Sequence, residues 1–276
     1  MSTLVDPERQ IQLEQQGNVF IMTLTGTPHK ANVFSAPLLR RLDRLLDTVE
    51  ANLPCCLIIK GRGKFFSAGF DLQALTGTSH KSNKANDGKQ PSSSKAATAK
   101  HQGNDLVEQS WKLLARLLTF SAPTIALMNG HAFGLGLFLG LACDHRIMIQ
   151  WEDENGEMNE TFNQARLCLP EITIGLPLGS GFAALAKTKL YPSTLRTAAL
   201  TGKQFDCQEA LHAGIIDKIA RQSIDDGDTK IPNEVFAIAE GLVATSIKEG
   251  ILTSIKMELH GDAYTALMAG QNRARL

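Results

Sequence analysis

Apolar positions follow two rhythms along this chain, and the switches between them outline its elements. Asn18 to Leu24 is a short β-branched and aromatic run that predicts a strand. Turn-forming Gly26 and Pro28 follow, and Ser35 stands where a helix N-cap belongs. Beyond it Leu38, Leu39, Leu42, Leu45, Leu46 and Val49 recur at helical spacing. Cys56 to Lys60 reads as a buried strand and Gly61 to Lys64 as a turn. A periodic helix is predicted around Leu106 to Leu118, then a strand at Thr124 to Met128, a glycine-rich turn, and an apolar helix from Leu135 to Cys143. Further on, Ile172 to Ile174 leads into Gly175 and Pro177, Ser193 is read as a helix cap, and Glu209 to Leu211 runs into Gly214 and a short strand. The residues after Pro232 read as mainly helical. Strands alternating with helices predict the α/β class, and no repeat of solenoid length interrupts them.

One stretch breaks the pattern. From Thr76 to Asn104 the chain is Ser, Lys, Asn, Thr, Gly and Gln with almost no large apolar residue. Such a segment buries too little surface to offset chain entropy, so a mobile surface insertion is expected. Elsewhere composition chiefly excludes. Twenty-eight basic and 28 acidic residues cancel, which points to no nucleic-acid partner and no anionic surface. Cys55, Cys56, Cys143, Cys168 and Cys207 are odd in number and lack metal-ligand spacing, so reduced, buried thiols are expected. The acidic loop at Glu152, Asp153, Glu154 and Glu157 lacks the ligand order of a calcium loop. No metal site is predicted. Met1 to Gln16 is polar and carries no secretory leader pattern, and Gly134 to Cys143 is too short to span a bilayer. Ala274-Arg275-Leu276 matches both an SKL-type peroxisomal address and a chance tripeptide.

Two small-residue turns carry candidate chemistry. The first is Phe65-Phe66-Ser67-Ala68-Gly69-Phe70-Asp71-Leu72, where an apolar strand end meets residues small enough for a ligand to approach the backbone. Read alone it equally describes a strand-to-helix turn capped by Asp71. The second is Asn129-Gly130-His131-Ala132-Phe133-Gly134-Leu135-Gly136, whose glycines at the mouth of a helix leave N–H groups free with the positive end of the dipole behind them. It does not follow the GxGxxG nucleotide pattern. His131 is read as a packed, hydrogen-bonded core residue and Asp144 as structural.

Together these turns resemble the crotonase (enoyl-CoA hydratase/isomerase) family, with its F-S-A-G-x-D-L segment, its later N-G-x-A-x-G segment and a helix ending in C-D. Lys30-Ala31-Asn32-Val33-Phe34, Leu169-Pro170-Glu171-Ile172 with Gly175-Leu176-Pro177, and Glu209 to Ile216 extend the likeness over most of the chain. The resemblance implies a crotonase spiral of ββα units at 1–210, carrying the 76–104 insertion, and a C-terminal helical region at 211–276 that supports trimerisation. It implies an oxyanion hole made by the backbone amides of Ala68 and Leu135. Substrate contacts are implied at Ala31, Ser67, Gly69, Phe70, Asp71, Leu72, Gly134 and Phe138, and no cofactor beyond the coenzyme A of the substrate itself.

A third position narrows the reaction. Hydratases of this family use two glutamates, and the matching positions here are Phe138 and Glu171. Phenylalanine holds neither a proton nor a water. A single carboxylate beside an oxyanion hole moves a proton between two carbons, which shifts a double bond without adding anything. The pattern is similar to monofunctional Δ3,Δ2-enoyl-CoA isomerases of the plant-peroxisomal and mitochondrial type. It implies Glu171 as the catalytic base, a 3-enoyl-CoA substrate, a homotrimer or hexamer, and, with Ala274-Arg275-Leu276, a peroxisomal import receptor as partner. The cytoplasm and mitochondrion are the alternative locations. Two other readings stand beside it: a hydratase or other acyl-CoA enzyme of the family, and a non-catalytic acyl-CoA-binding subunit.

Overall fold

The computed structural model describes residues 2–5, 10–26, 31–71, 93–158, 164–224, 230–246 and 250–269. Strands β1 (Ser2–Val5), β2 (Ile11–Gln16) and β3 (Val19–Leu24) come first, then helix α1 (Ala36–Glu50). Three similar passages follow, each a strand, a shorter strand and a helix. They are β4 (Cys56–Gly61), β5 (Phe65–Ser67) and α2 (Ser93–Leu118); β6 (Thr124–Met128), β7 (His131–Phe133) and α3 (Leu135–Ala142); β8 (His145–Glu152), β9 (Leu167–Cys168) and α4 (Glu171–Ile174). After these come α5 (Ser180–Lys189), α6 (Pro192–Thr201), α7 (Cys207–His212), β10 (Lys218–Ser223), α8 (Asn233–Val243) and α9 (Ile251–Ala269).

The longer strand of each passage joins one seven-stranded sheet, in the order β1-β2-β3-β4-β6-β8-β10, and the shorter strand joins a three-stranded sheet, β5-β7-β9. Pairing is antiparallel from β1 to β3 and parallel from β3 to β10. The small sheet is parallel throughout. This is a spiral of ββα turns. Every residue of β3, β4 and β6 is buried, as expected of parallel strands covered on both faces. One face meets α1, α2 and α3 through residues such as Leu42, Leu114 and Leu139, and the other meets α8 through Ile58, Ile125 and Val235.

Local chemistry explains most boundaries. Ser35 caps α1, accepting the Leu38 amide at 3.4 Å, with proline in the first turn. Asp206 and Glu209 form a reciprocal capping box on α7. Ser193, by contrast, lies inside α6, which starts at Pro192 after Tyr191. One further expectation is corrected. The helix expected near Leu106 begins at Ser93, so residues 93–104 belong to α2, while 76–92, expected to be mobile, lie outside the described residues. A short strand is expected after Gly214, and β10 follows there, extending the sheet by pairing with β8 from Lys218 to Ser223. The five cysteines are free and buried as expected, and burial pushes the Cys143 thiol up to about 12.

The C-terminal helix is tied to this core by one ion pair. Lys256 on α9 donates to the carbonyls of Phe120 and Ala122 at 2.9 and 3.0 Å and to Asp144 Oδ2 at 2.6 Å. Asp144 also accepts the amide and hydroxyl of Thr124, so its expected structural role is borne out. The Lys256 side chain is only 5% exposed. Removing one partner leaves the other charge buried and unpaired, so Lys256→Ala should lower stability by about 3–5 kcal/mol. Urea unfolding measures this as a lower midpoint with an unchanged slope.

Candidate active site

Each strand of the small sheet ends in a segment singled out from sequence. Ala68 to Asp71 follow β5, Gly134 and Leu135 follow β7, and Glu171 follows β9. Because β7 lies between β5 and β9, the second turn sits in the middle, flanked by the first turn and by Glu171. The carboxyl ends of parallel strands are where open α/β sheets bind ligands.

The first turn is held from a distance. Asn32, 4% exposed and with φ 53°, donates its side-chain amide to the carbonyls of Arg62, Phe65 and Phe66 at 3.2, 2.8 and 3.2 Å. Ala31 before it, with φ 43°, offers its carbonyl to the amide of Ala68 at 2.9 Å. Ser67 Oγ donates to the Asn32 carbonyl at 2.7 Å and accepts the Gly69 amide at 3.1 Å. The Asp71 amide donates to the Phe34 carbonyl at 3.2 Å. In this turn the one amide with no acceptor among the described residues is that of Phe70. The expected donor is therefore corrected: Ala68 is engaged by Ala31, and the turn presents Phe70.

In the second turn the Gly134 amide donates to the Cys168 carbonyl at 3.0 Å, and α3 opens with no side-chain cap. The amide of Leu135 is thus left with no acceptor among the described residues, as a first-turn helical N–H should be. The turns meet backbone to backbone. A Cβ on Gly69 would lie 2.7 Å from the Phe133 carbonyl oxygen and 3.3 Å from the Leu135 nitrogen, and one on Gly136 would lie 2.3 Å from the Ser67 carbonyl oxygen.

Glu171 completes the group. Its Oε1 lies 3.5 Å from where a Cβ on Gly134 would stand, and its Oε2 is buried with no hydrogen-bond partner. Burial raises its pKa above the usual carboxylate value, opposed by its own backbone amide. No other acid takes the second position. Phe138 there is fully buried, stacked on Phe182 at a centroid distance of 4.5 Å and a tilt of 31°. Phe182 also meets Phe70 at 6.2 Å and Trp111 at 5.7 Å, giving the site an aromatic wall.

Ala31, Ser67, Gly69, Phe70, Gly134, Phe138 and Asp71 gather around the two turns, whereas Leu72 lies outside the described residues. His131 packs between Phe65 and Phe133 and accepts the Arg166 amide on Nδ1 at 3.0 Å. Burial first, then Arg166 and Lys64, lowers its pKa, so it serves as a neutral acceptor in the scaffold. Asn32, Trp111 and Phe182 were not singled out as site residues. Trp111 and Phe182 occur as ordinary core positions of helices, and only their contacts reveal the wall. No group of three metal-ligating side chains occurs among the described residues.

Comparison with known proteins places this geometry. Residues 14–227 match the model of the enoyl-CoA hydratase/isomerase family. The chain is 29% identical over 258 residues to a peroxisomal enoyl-CoA delta isomerase 2 of Arabidopsis thaliana, covering 92% of this chain and 89% of that one. It is 30% identical over 200 residues to a probable enoyl-CoA hydratase of Bacillus subtilis, covering 71% and 64%. Among solved structures, an enoyl-CoA hydratase/isomerase family protein from Pseudomonas syringae superposes with a TM-score of 0.72 at 23% identity, covering 96% of this chain and 98% of that one. The three strand ends that build the site fall inside the matched span, and the chain belongs to the enoyl-CoA hydratase/isomerase family and adopts its crotonase fold.

Proposed function

We propose that this protein isomerises 3-enoyl-CoA, cis or trans, to trans-2-enoyl-CoA, with Glu171 as the single proton shuttle. The observation that carries this reading is the pairing of a half-buried Glu171, whose Oε2 is buried and unpartnered, with a fully buried Phe138 where a second acid would stand. Glu171 takes a proton from C2 of the thioester and the electrons move onto the carbonyl oxygen. The dienolate collapses as the same carboxylic acid returns the proton to C4, leaving the double bond between C2 and C3. The amides of Phe70 and Leu135 hold the oxygen while it is charged, in place of the Ala68 and Leu135 pair read from sequence. Each such donor is worth about 2.7–4 kcal/mol in a water-excluded site.

The same surroundings suit the shuttle. Burial that raises the Glu171 pKa makes the carboxylate a stronger base toward carbon. The wall of Phe138, Phe182 and Trp111 carries no carboxylate to activate a water for addition, and the one unpartnered indole N–H of Trp111 is a donor only. Coenzyme A enters as part of the substrate and no other cofactor takes part. The peroxisomal name of the plant relative agrees with Ala274-Arg275-Leu276 as an import address. A homotrimer fits the exposed apolar side chains of α9, among them Ile251, Ile255 and Leu259. Hydration is the second reading, favoured by the name of the Bacillus relative.

Glu171→Gln keeps the shape and removes the base, so 3-enoyl-CoA turnover should fall by about 10²–10⁴-fold. Retention of most activity would refute the shuttle. The same variant should unfold at an equal or higher temperature. A carboxyl whose folded-state pKa is raised contributes stability below its unfolded pKa and loses it as pH rises through the folded value, so at neutral pH charged Glu171 is a burden that glutamine removes. For the wild type, kcat/KM should rise with pH to a plateau whose midpoint lies above the ordinary glutamate value of about 4.3. Given crotonyl-CoA and a 3-enoyl-CoA separately, the protein should turn over the second far faster; rapid hydration of the first would replace isomerisation with the second reading.

A further inference from the structure

The carboxyl ends of the small sheet carry the catalytic turns; its amino ends gather a row of basic residues that lie far apart in the chain. Lys64 precedes β5, His131 starts β7 and Arg166 precedes β9. Register sets them side by side: the His131 amide donates to the Lys64 carbonyl at 3.0 Å, and the Arg166 amide donates to His131 Nδ1 at 3.0 Å. Neighbouring strands lie about 4.8 Å apart, so the row is about 10 Å wide.

Three rings share one face of this sheet. His131 and Phe133 stand two positions apart on β7, hence on the same side, and Phe65 is the register partner of His131. The ring centroids are 5.0 Å apart for Phe65 and His131, 5.3 Å for His131 and Phe133, and 6.2 Å for Phe65 and Phe133. All three residues are partly exposed, whereas Phe66 and Ala132 at the alternate positions are buried. Rings clustered at the surface instead of in the core offer a flat partner a place to stack.

The polar edge of this face is cationic and reaches solvent. Because His131 Nδ1 accepts, the proton of the neutral ring sits on Nε2, which has no acceptor among the described residues and is not buried. Half-buried Arg166 gives one N–H to the Ala165 carbonyl at 2.9 Å; the rest of its guanidinium has no acceptor among the described residues and is not buried either. Lys64 is exposed and has no ion pair among the described residues. Glu209, a carboxylate within the field of Arg166, already pairs with Lys203 at 2.8 Å and accepts the Asp206 amide at 3.1 Å. The two charges that act on the His131 ring are both positive.

We propose that this face binds a purine nucleoside diphosphate, its base on the rings of Phe65, His131 and Phe133 and its phosphates on Lys64, Arg166 and the His131 Nε2–H. Stacking on an aromatic ring tolerates any base, and a purine offers the larger face. Two cations with a neutral N–H between them match two linked phosphoryl groups, the arginine fork taking a pair of oxygens. A polyanion such as RNA would need a wider positive field than a chain whose 28 basic and 28 acidic residues cancel supplies. The cationic row and Glu171 occupy opposite ends of the small sheet, so the proposal does not depend on which reaction the catalytic pocket performs.

Calorimetric titration of the full chain with ADP tests it, with saturating octanoyl-CoA present to fill the catalytic pocket and the substrate's own nucleotide site. The expected result is one ADP per chain, with adenosine and inorganic pyrophosphate each bound at least tenfold more weakly. Arg166→Gln should weaken ADP at least tenfold, while Arg166→Lys, which keeps the charge, should lose less and controls for folding. Phe133→Leu, which keeps an apolar side chain and removes a ring, should weaken ADP and leave pyrophosphate unchanged. No binding, ADP binding only when octanoyl-CoA is omitted, equal binding of pyrophosphate, or an ADP affinity unchanged in Arg166→Gln or Phe133→Leu would each overturn the proposal. The second of these outcomes would place ADP in the substrate's site, and the third would reduce the face to an unselective anion patch.

Discussion

The site depends on two stretches of backbone lying closer together than any side chain allows. With a methyl group on Gly136 only 2.3 Å from the Ser67 carbonyl oxygen, α3 could not start where it does. The same holds where Gly69 meets the Phe133 carbonyl at 2.7 Å. Because neither position carries a side chain, amides from strand ends more than sixty residues apart open onto one space. Donors fixed in advance need no reorganisation when charge develops, which is where such a site gains its advantage over water. Asn32 makes the approach rigid by gathering three carbonyls of the preceding loop onto one side-chain amide.

What surrounds those amides is as consequential as the amides. Phe138, Phe182 and Trp111 form an aromatic wall on one side, and the Glu171 carboxylate stands on another without full hydrogen bonding. A low dielectric strengthens a hydrogen bond to a developing oxyanion and penalises a resting carboxylate at the same time. In the proposed reaction the two effects belong together: the surroundings that would favour a charged intermediate also make Glu171 the stronger base. An orphaned acceptor in the interior costs stability, and it is at functional sites that folded proteins tolerate such costs.

Much of this could be read from the chain before folding was considered. Strand runs such as Val19 to Leu24 and Thr124 to Met128, the α1 stripe ending at Val49, and Glu171 after Pro170 all announce themselves through local pattern. The identity of the donating amide does not. Whether Ala68 or Phe70 is free depends on a hydrogen bond to Ala31, 37 positions away, made possible by left-handed backbone at Ala31 and Asn32. Nothing in the residue types at 68 and 70 records that. The start of α2 was missed for a different reason, since residues 93–104 are polar and carry no apolar stripe to betray a helix. Polar runs without an apolar stripe look like loops to any periodicity argument.

The Lys256 clip also has a meaning in time. Asp144 precedes its partner by 112 positions, and the carbonyls of Ala122 and Phe120 precede it by 134 and 136. At synthesis rates of about 5–20 residues per second, Asp144 leaves the ribosome roughly 6–22 s before Lys256 does. During that interval the strands of the spiral can pair while the carboxylate at the foot of α3 waits in water. The last helix therefore arrives as a latch on a nearly assembled body, and a nascent chain arrested before Lys256 would carry the catalytic turns without the charge that closes the far end of the helix between them.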